Sequence, residues 1–173
     1  KELEVEPVVS VYNKSAAGIL VLTDNEFLGG DLDDLIQTKV LTDIPVLRKD
    51  FIIDKWQIAE AKAFGADVIL LIAACLTPSA VKEFAAYAQS IGLESILEVH
   101  NEEELGHCCG EVSMVGVNNR NLKTFEVDIN ASLRLIGKIP AGKPAIAESG
   151  ISSVHTIVTL RNAGFKGFLI GEK

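Results

Sequence analysis

A lysine, a glutamate inside an apolar run, an Asn-Asn-Arg triplet and two run ends marked by glycine are the residues of this chain whose types could do chemistry together. Lys49 follows Pro45-Val46-Leu47-Arg48 and precedes Asp50-Phe51. At the end of a buried run such a lysine can act as a general acid, a Schiff-base nucleophile or an anion clamp, or stand as a solvated cation paired with Asp50. Glu98 sits in Ile96-Leu97-Glu98-Val99, where an ionised carboxylate is costly unless paired. A buried partner such as Lys49 would satisfy it, as an acid–base couple or as a purely structural ion pair. Asn118, Asn119 and Arg120 close the next run; amides can orient a substrate hydroxyl and arginine can grip a carboxylate by two hydrogen bonds. Asn119 and Arg120 could equally be turn residues. Glu148-Ser149-Gly150 and Gly171-Glu172 end the last two runs, where backbone N–H groups left accessible by glycine can bind phosphate. Either glycine alone would be a routine turn.

Other candidates have plainer readings. His100, His107 and His155 show no ligand spacing, so each is expected to be solvated or locally bonded. Cys75, Cys108 and Cys109 are odd in number and lack CxxC spacing, which predicts reduced thiols rather than a disulfide framework. His107-Cys108-Cys109 has no second ligand pair at finger-like spacing, so the expectation there is a helix end on the core. Trp56 and Phe64, eight apart on one helical segment, read as a core stripe.

The elements that must position these residues alternate. Apolar runs at 18–22, 44–47, 68–73, 95–99, 114–117, 145–147 and 167–170 are rich in Val, Ile and Leu without polar alternation, as strands buried on both faces of a parallel sheet are. Helical spacing fills the intervals, for example at 57–64 and 78–90, with Thr77 as an N-cap before Pro78. Gly65, Gly92 and Gly164 mark helix exits. This βα alternation predicts an α/β fold. Open and barrel sheets differ in where polar residues fall, because only a barrel turns every strand's carboxyl end to one mouth. Polar groups end almost every run here, so a TIM (β/α)8 barrel with seven of its eight strands is expected.

Composition sets the remaining bounds. The chain has 173 residues, 48% hydrophobic and 23% charged, close to ordinary globular usage and short against the roughly 250 of a complete barrel. A formal charge of −8 without a basic stripe argues against nucleic acid. Apolar stretches stop far below the roughly 20 residues that span a bilayer, and the opening Lys-Glu-Leu-Glu-Val-Glu lacks a signal-peptide core. No dinucleotide or P-loop fingerprint occurs, and no linker-like tract divides the chain, so a single cytoplasmic domain over 1–173 is expected.

Five stretches then carry a resemblance. Leu22-Thr23-Asp24 with Phe27 and Gly29-Gly30, the stretch 45–54, Leu97-Glu98-Val99-His100, the stretch 116–125 and Glu148-Ser149-Gly150-Ile151 resemble the indole-3-glycerol phosphate synthase family in order and spacing. The resemblance runs from about Pro7 to the end. It implies a barrel enzyme of tryptophan biosynthesis, a carboxy-lyase that closes the indole ring of 1-(2-carboxyphenylamino)-1-deoxyribulose 5-phosphate with release of carbon dioxide and water, without metal or organic cofactor. It also implies roles. Lys49 would be the general acid on the ribulose carbonyl oxygen, and Glu98 a catalytic carboxylate for the dehydration, supported by Asn118. Arg120, Glu148 and Ser149 would orient substrate, Gly150 and Gly171 would contact phosphate through the backbone, and Phe27 would lie beside the aromatic ring. The implied partner is a small phosphorylated molecule, not nucleic acid or membrane.

Against the family pattern the expectation is a chain truncated at both ends. The family opens with a helix, a strand bearing a second catalytic lysine and glutamate, and a phosphate-touching loop, and it closes with a final helix; none of these is found among the 173 residues. A monomer is expected for the complete protein, and association through open strand edges for the fragment. A catalytically weak phosphate-binding fragment and a phosphosugar isomerase of the phosphoribosylanthranilate isomerase type are the competing readings.

Overall fold

A computed structural model describes residues 4–171; Glu172, the polar end expected after the last run, lies outside the described residues. Helices α1 (Val5–Tyr12), α2 (Leu32–Val40), α3 (Lys55–Ala63), α4 (Pro78–Ser90), α5 (Asn130–Leu135) and α6 (Val154–Ala163) alternate with strands β1 (Ile19–Leu22), β2 (Val46–Lys49), β3 (Val68–Ile72), β4 (Glu94–Val99), β5 (Met114–Asn118), β6 (Ala145–Glu148) and β7 (Gly167–Leu169). Strand order follows chain order, giving the expected seven among the described residues. Among the described residues no helix is long and apolar enough to cross a membrane.

Two compact units are distinguished, Lys1–Leu70 with Phe84–Ser95, and Leu71–Glu83 with Ile96–Lys173. In the first, β1 pairs in parallel with β2 from Ile19↔Val46 to Leu22↔Lys49, and β2 pairs with β3 through Leu47↔Val68 and Arg48↔Ile69. Val-Ile-Leu-Leu-Ile of β3 is buried throughout, the signature of a strand covered on both faces. Sequence reading put β2 at 44–47; pairing shifts it to Val46–Lys49, so Lys49 is the last residue of the strand itself. Asp54 starts α3 with a capping box: its carboxylate accepts from Trp56 N at 2.7 Å while Gln57 Oε1 accepts from Asp54 N at 3.1 Å. Against expectation, Trp56 is 73% exposed and Phe64 only half-buried. Ile58 and Ala61 set the buried stripe of α3, and Trp56 projects from roughly the opposite side of the helix.

In the second unit β4 pairs with β5 from Ile96↔Met114 to Val99↔Val117, β5 with β6 from Val115↔Ala145 to Asn118↔Glu148, and β6 with β7 from Ile146↔Gly167 to Glu148↔Leu169. Thr77 Oγ1 accepts from Ala80 N at 3.2 Å, so the expected cap of α4 forms. Ser153 caps α6 in the same way, accepting from Thr156 N at 3.1 Å. The expected helix exits at Gly65, Gly92 and Gly164 all take positive φ. Leu160 and Phe165 then pack under the sheet, almost wholly buried. All three cysteines are free thiols.

Candidate functional site

Lys49 and Phe27 belong to the first unit. Side chains alternate along β2, so Arg48 and Lys49 leave the strand on opposite sides. Arg48 turns towards the helices and is 3% exposed: it bonds Asp50 Oδ2 at 2.8 Å, Glu60 Oε2 at 2.8 Å, the Gln57 carbonyl at 2.9 Å and Thr23 Oγ1 at 3.0 Å. Thr23 in turn donates to Asp50 Oδ2 at 2.7 Å. Asp50 is therefore the partner of Arg48, not of Lys49; the backbone carbonyl of Lys49 accepts from Thr23 N at 3.1 Å, and its ammonium takes no hydrogen bond or ion pair within the described residues of this unit. An unclaimed ammonium at a strand's carboxyl end is available to a ligand. Phe27 lies exposed in the turn after β1, where Asp24 Oδ2 accepts from Leu28 N at 2.9 Å, and its ring meets Phe51 edge-on with centroids 6.0 Å apart.

The remaining candidates stand at the carboxyl ends of β4 to β7. Register decides which share a face. Glu98 pairs with Gly116 and Asn118 pairs with Glu148; since Gly116 and Asn118 are two apart on β5, the side chains of Glu98, Asn118 and Glu148 point to the same side of the sheet. Both glutamates are 2% exposed. Gly116 makes room for them: a Cβ there would lie 2.0 Å from Glu148 Oε1 and 3.0 Å from Ile96 Cγ2, so the Glu148 carboxylate reaches over the register partner of Glu98. Two carboxylates in a desolvated setting favour any neighbouring cation and disfavour joint ionisation without one.

His100, two residues beyond Glu98, meets one of them. Its Nε2 is 3.3 Å from Glu98 Oε1 and its Nδ1 3.1 Å from Glu104 Oε2, while its backbone N donates to Glu104 Oε2 at 2.7 Å. Burial alone would lower the pKa of the imidazole, but the hydrogen bonds to Glu104 and Glu98 and their charges outweigh it and raise the group from 6.5 to about 9. Burial likewise pushes Glu104 up, and its bonds to His100 and Asn101 bring it below the usual carboxylate range. Burial and the charges of Glu98 and Glu104 push the Cys75 thiol up. The expectation for His100 was a solvated or locally bonded ring; local bonding holds, through Glu104, and the other ring nitrogen stands 3.3 Å from the candidate carboxylate. The only signal was its position two residues after Glu98, hence on the same face.

Asn118 Oδ1 accepts from Arg120 N at 3.0 Å, which closes the turn at the end of β5, and Arg120 bridges back to Val127. Asn119, on the opposite side of the strand, is structural: its amide donates to the Ser149 carbonyl at 3.1 Å and accepts from Ser132 N at 3.2 Å and Ser132 Oγ at 2.8 Å. Ser149 and Gly150 both take left-handed backbone, φ 64° and 71°, the former uncommon for a residue with a side chain. A Cβ at Gly150 would meet Val127 Cγ1 at 2.2 Å, so glycine is required there for space as well as for φ. Gly171 lies exposed beyond β7 with open space at its Cα.

Comparison with known proteins places this arrangement. The indole-3-glycerol phosphate synthase family model matches residues 1–173. An indole-3-glycerol phosphate synthase of Bacteroides thetaiotaomicron is 46% identical over 173 residues, covering 99% of this chain and 66% of the relative. Those of Variovorax paradoxus (46%, 91% of this chain, 60% of the relative) and Lachnospira eligens (42%, 98% and 66%) are similar. The chain thus spans 60–66% of the length of these relatives. Among solved structures, a chain of the tryptophan synthase a2b2 complex from Pyrococcus furiosus superposes with TM-score 0.72 at 16% identity, covering 97% of this chain and 82% of that one. 3-Hexulose-6-phosphate synthase superposes with TM-score 0.71 at 17% identity, covering 99% and 86%. At such identities the structures speak to fold alone, α/β of the TIM (β/α)8 class with seven parallel strands here. Matched over residues 1–173 by the family model and over 99% of its length by a relative 46% identical, the chain belongs to the indole-3-glycerol phosphate synthase family.

Proposed function

We propose that the full-length protein converts 1-(2-carboxyphenylamino)-1-deoxyribulose 5-phosphate to indole-3-glycerol phosphate, carbon dioxide and water, as a carboxy-lyase of tryptophan biosynthesis. The observation that carries this reading is the shared face of Glu98, Asn118 and Glu148 at three adjacent strand ends, in a chain whose Lys49 ends another strand with its ammonium unclaimed. Ring closure needs a proton delivered to the departing carbonyl oxygen, and Lys49 is the cation suited to it. Loss of water needs a second acid–base group, the role of Glu98, with Asn118 orienting the substrate hydroxyl beside it. Arg120 grips the substrate carboxylate, Glu148 and Ser149 orient the chain, and Phe27 lies against the aromatic ring. The left-handed Ser149-Gly150 turn and Gly171 offer backbone N–H groups to the phosphate. No metal or organic cofactor takes part. The protein acts in the cytoplasm on a small phosphorylated substrate, as a monomeric single-domain barrel, and binds neither nucleic acid nor membrane.

The test is to supply the full-length protein with the carboxyphenylamino deoxyribulose phosphate and follow indole fluorescence. Indole-3-glycerol phosphate and carbon dioxide formed in equal amounts is the expected result. Turnover of phosphoribosylanthranilate without indole formation would contradict it.

A further inference from the structure

Resting on the synthase reading above, in which Lys49 delivers a proton for ring closure, we propose that Thr23 is a positioning residue for Lys49. It holds the backbone of the lysine and, through one hydroxyl, the residues on both sides of it.

Three consecutive residues, Arg48, Lys49 and Asp50, are tied to this one threonine. Thr23 N donates to the Lys49 carbonyl at 3.1 Å, continuing the β1–β2 pairing past Leu22↔Lys49. Thr23 Oγ1 donates to Asp50 Oδ2 at 2.7 Å and accepts from Arg48 Nε at 3.0 Å. A hydroxyl has one proton to give and lone pairs to receive with, so it serves an anion and a cation at once. Any residue but proline could supply the backbone bond, whereas the clasp on both flanks of Lys49 needs the hydroxyl. Thr23, Arg48 and Asp50 are all buried. The flanks are themselves fixed. Arg48 Nη1 donates to the Gln57 carbonyl at 2.9 Å and Nη2 meets Glu60 Oε2 at 2.8 Å, both on α3, and Asp50 Oδ1 accepts from Phe51 N at 2.8 Å.

The pleat sends Arg48 and Asp50 to one side of the strand end and Lys49 to the other. Locking the first side sets the Cα–Cβ direction of Lys49. Its stem is flexible, so fixing the root narrows where the ammonium can reach while leaving it open to a ligand. Without the hydroxyl, Arg48 Nε and Asp50 Oδ2 each lose a partner and the strand end can tilt. A misplacement of about 1 Å at reacting atoms costs up to about 10²-fold.

The experiment is single-turnover and steady-state indole formation by full-length wild type, Thr23→Val, Thr23→Ser, Glu60→Ala, Lys49→Met and the Thr23→Val/Lys49→Met double variant, with circular dichroism of each. Thr23→Val is expected to lose about 10–100-fold in kcat with KM within about twofold. Thr23→Ser, which keeps the hydroxyl, and Glu60→Ala, which takes a partner from Arg48 on the α3 side only, are expected to stay within about threefold of wild type. In the Lys49→Met background Thr23→Val is expected to cost less than about twofold, because its effect passes through the lysine. Wild-type turnover by folded Thr23→Val overturns the positioning role alone, as does a loss of equal size with and without Lys49. Thr23→Ser no better than Thr23→Val, or Glu60→Ala as slow as Thr23→Val, also overturns it. If Thr23→Val does not fold, Asp50→Asn takes its place in the cycle: an amide accepts on one side only, so it cannot serve Phe51 N together with Thr23 and Arg48. The same non-additivity with Lys49→Met is expected there, and additive losses overturn the role. A wild type that makes no indole overturns the synthase reading and the positioning role with it.

Discussion

At the scale of single residues, Gly116 shows how a missing atom can hold a site together. A methyl group there would sit 2.0 Å from Glu148 Oε1, and Gly116 is buried in the middle of a paired strand, so the carboxylate must move rather than the backbone. Gly116→Ala is expected to cost about 1–3 kcal/mol as an overpacking change and to lower kcat by at least tenfold; denaturant melts and initial rates check the two halves separately. The His100–Glu104 pair carries a pH signature. His100 is raised from 6.5 to about 9, so its contribution to stability is complete below pH 6.5 and lost as pH rises towards 9. Glu104 is lowered from 4.5, so its contribution is complete above 4.5 and lost as pH falls. Melting temperatures are expected to decline from pH 6.5 to 9.5 in the wild type and markedly less in His100→Gln; parallel declines would sink the assignment. Lys49 and Glu98 were legible in the sequence because a charge at the end of, or inside, an apolar run must have a reason to be there. The His100–Glu104 pair was not, since it needs Glu104 placed by a 3-10 turn that no local pattern announces.

At the scale of elements, strand register converts separate motifs into one face. Alternation puts Asn118 and Asn119 on opposite sides of β5, and the structure divides their work: Asn118 stands with Glu98 and Glu148, while Asn119 ties β5 to the Ser149 turn and to α5. Asn119→Ala would strip three hydrogen bonds from buried groups, at about 1–3 kcal/mol for the stranded partners. It is also expected to raise KM for a phosphorylated substrate, because the left-handed Ser149-Gly150 turn loses its anchor; an unchanged KM would separate that turn from phosphate binding. The sequence triplet could not say which amide did which task, because that depends on whether the run ends at 117 or 118. Likewise β2 lies two residues later than its apolar run suggested, since Ile19↔Val46 pairing, not hydropathy, sets its start. Trp56 escaped the expected core stripe because two closer residues, Ile58 and Ala61, claim the buried side of α3.

At the scale of the molecule, the fold class was readable because parallel strands cannot be joined by tight turns, so βα alternation leaves its period along the whole chain. Even placement of polar groups at strand ends carried the further step to a barrel. What hydropathy could not supply is where a chain of charge −8 keeps a cation for the anionic substrate we propose. The structure answers part of this by economy: Arg48 is consumed by Asp50 and Glu60 inside the first unit, leaving Lys49 unclaimed there. In the proposed reaction this unclaimed ammonium delivers the proton for ring closure. Its most direct test is single-turnover indole formation by full-length Lys49→Met, with circular dichroism to show that the fold persists. The expected result is a loss of about 10²–10⁴-fold, the usual contribution of a positioned acid, with native dichroism; wild-type turnover by the folded variant would contradict it.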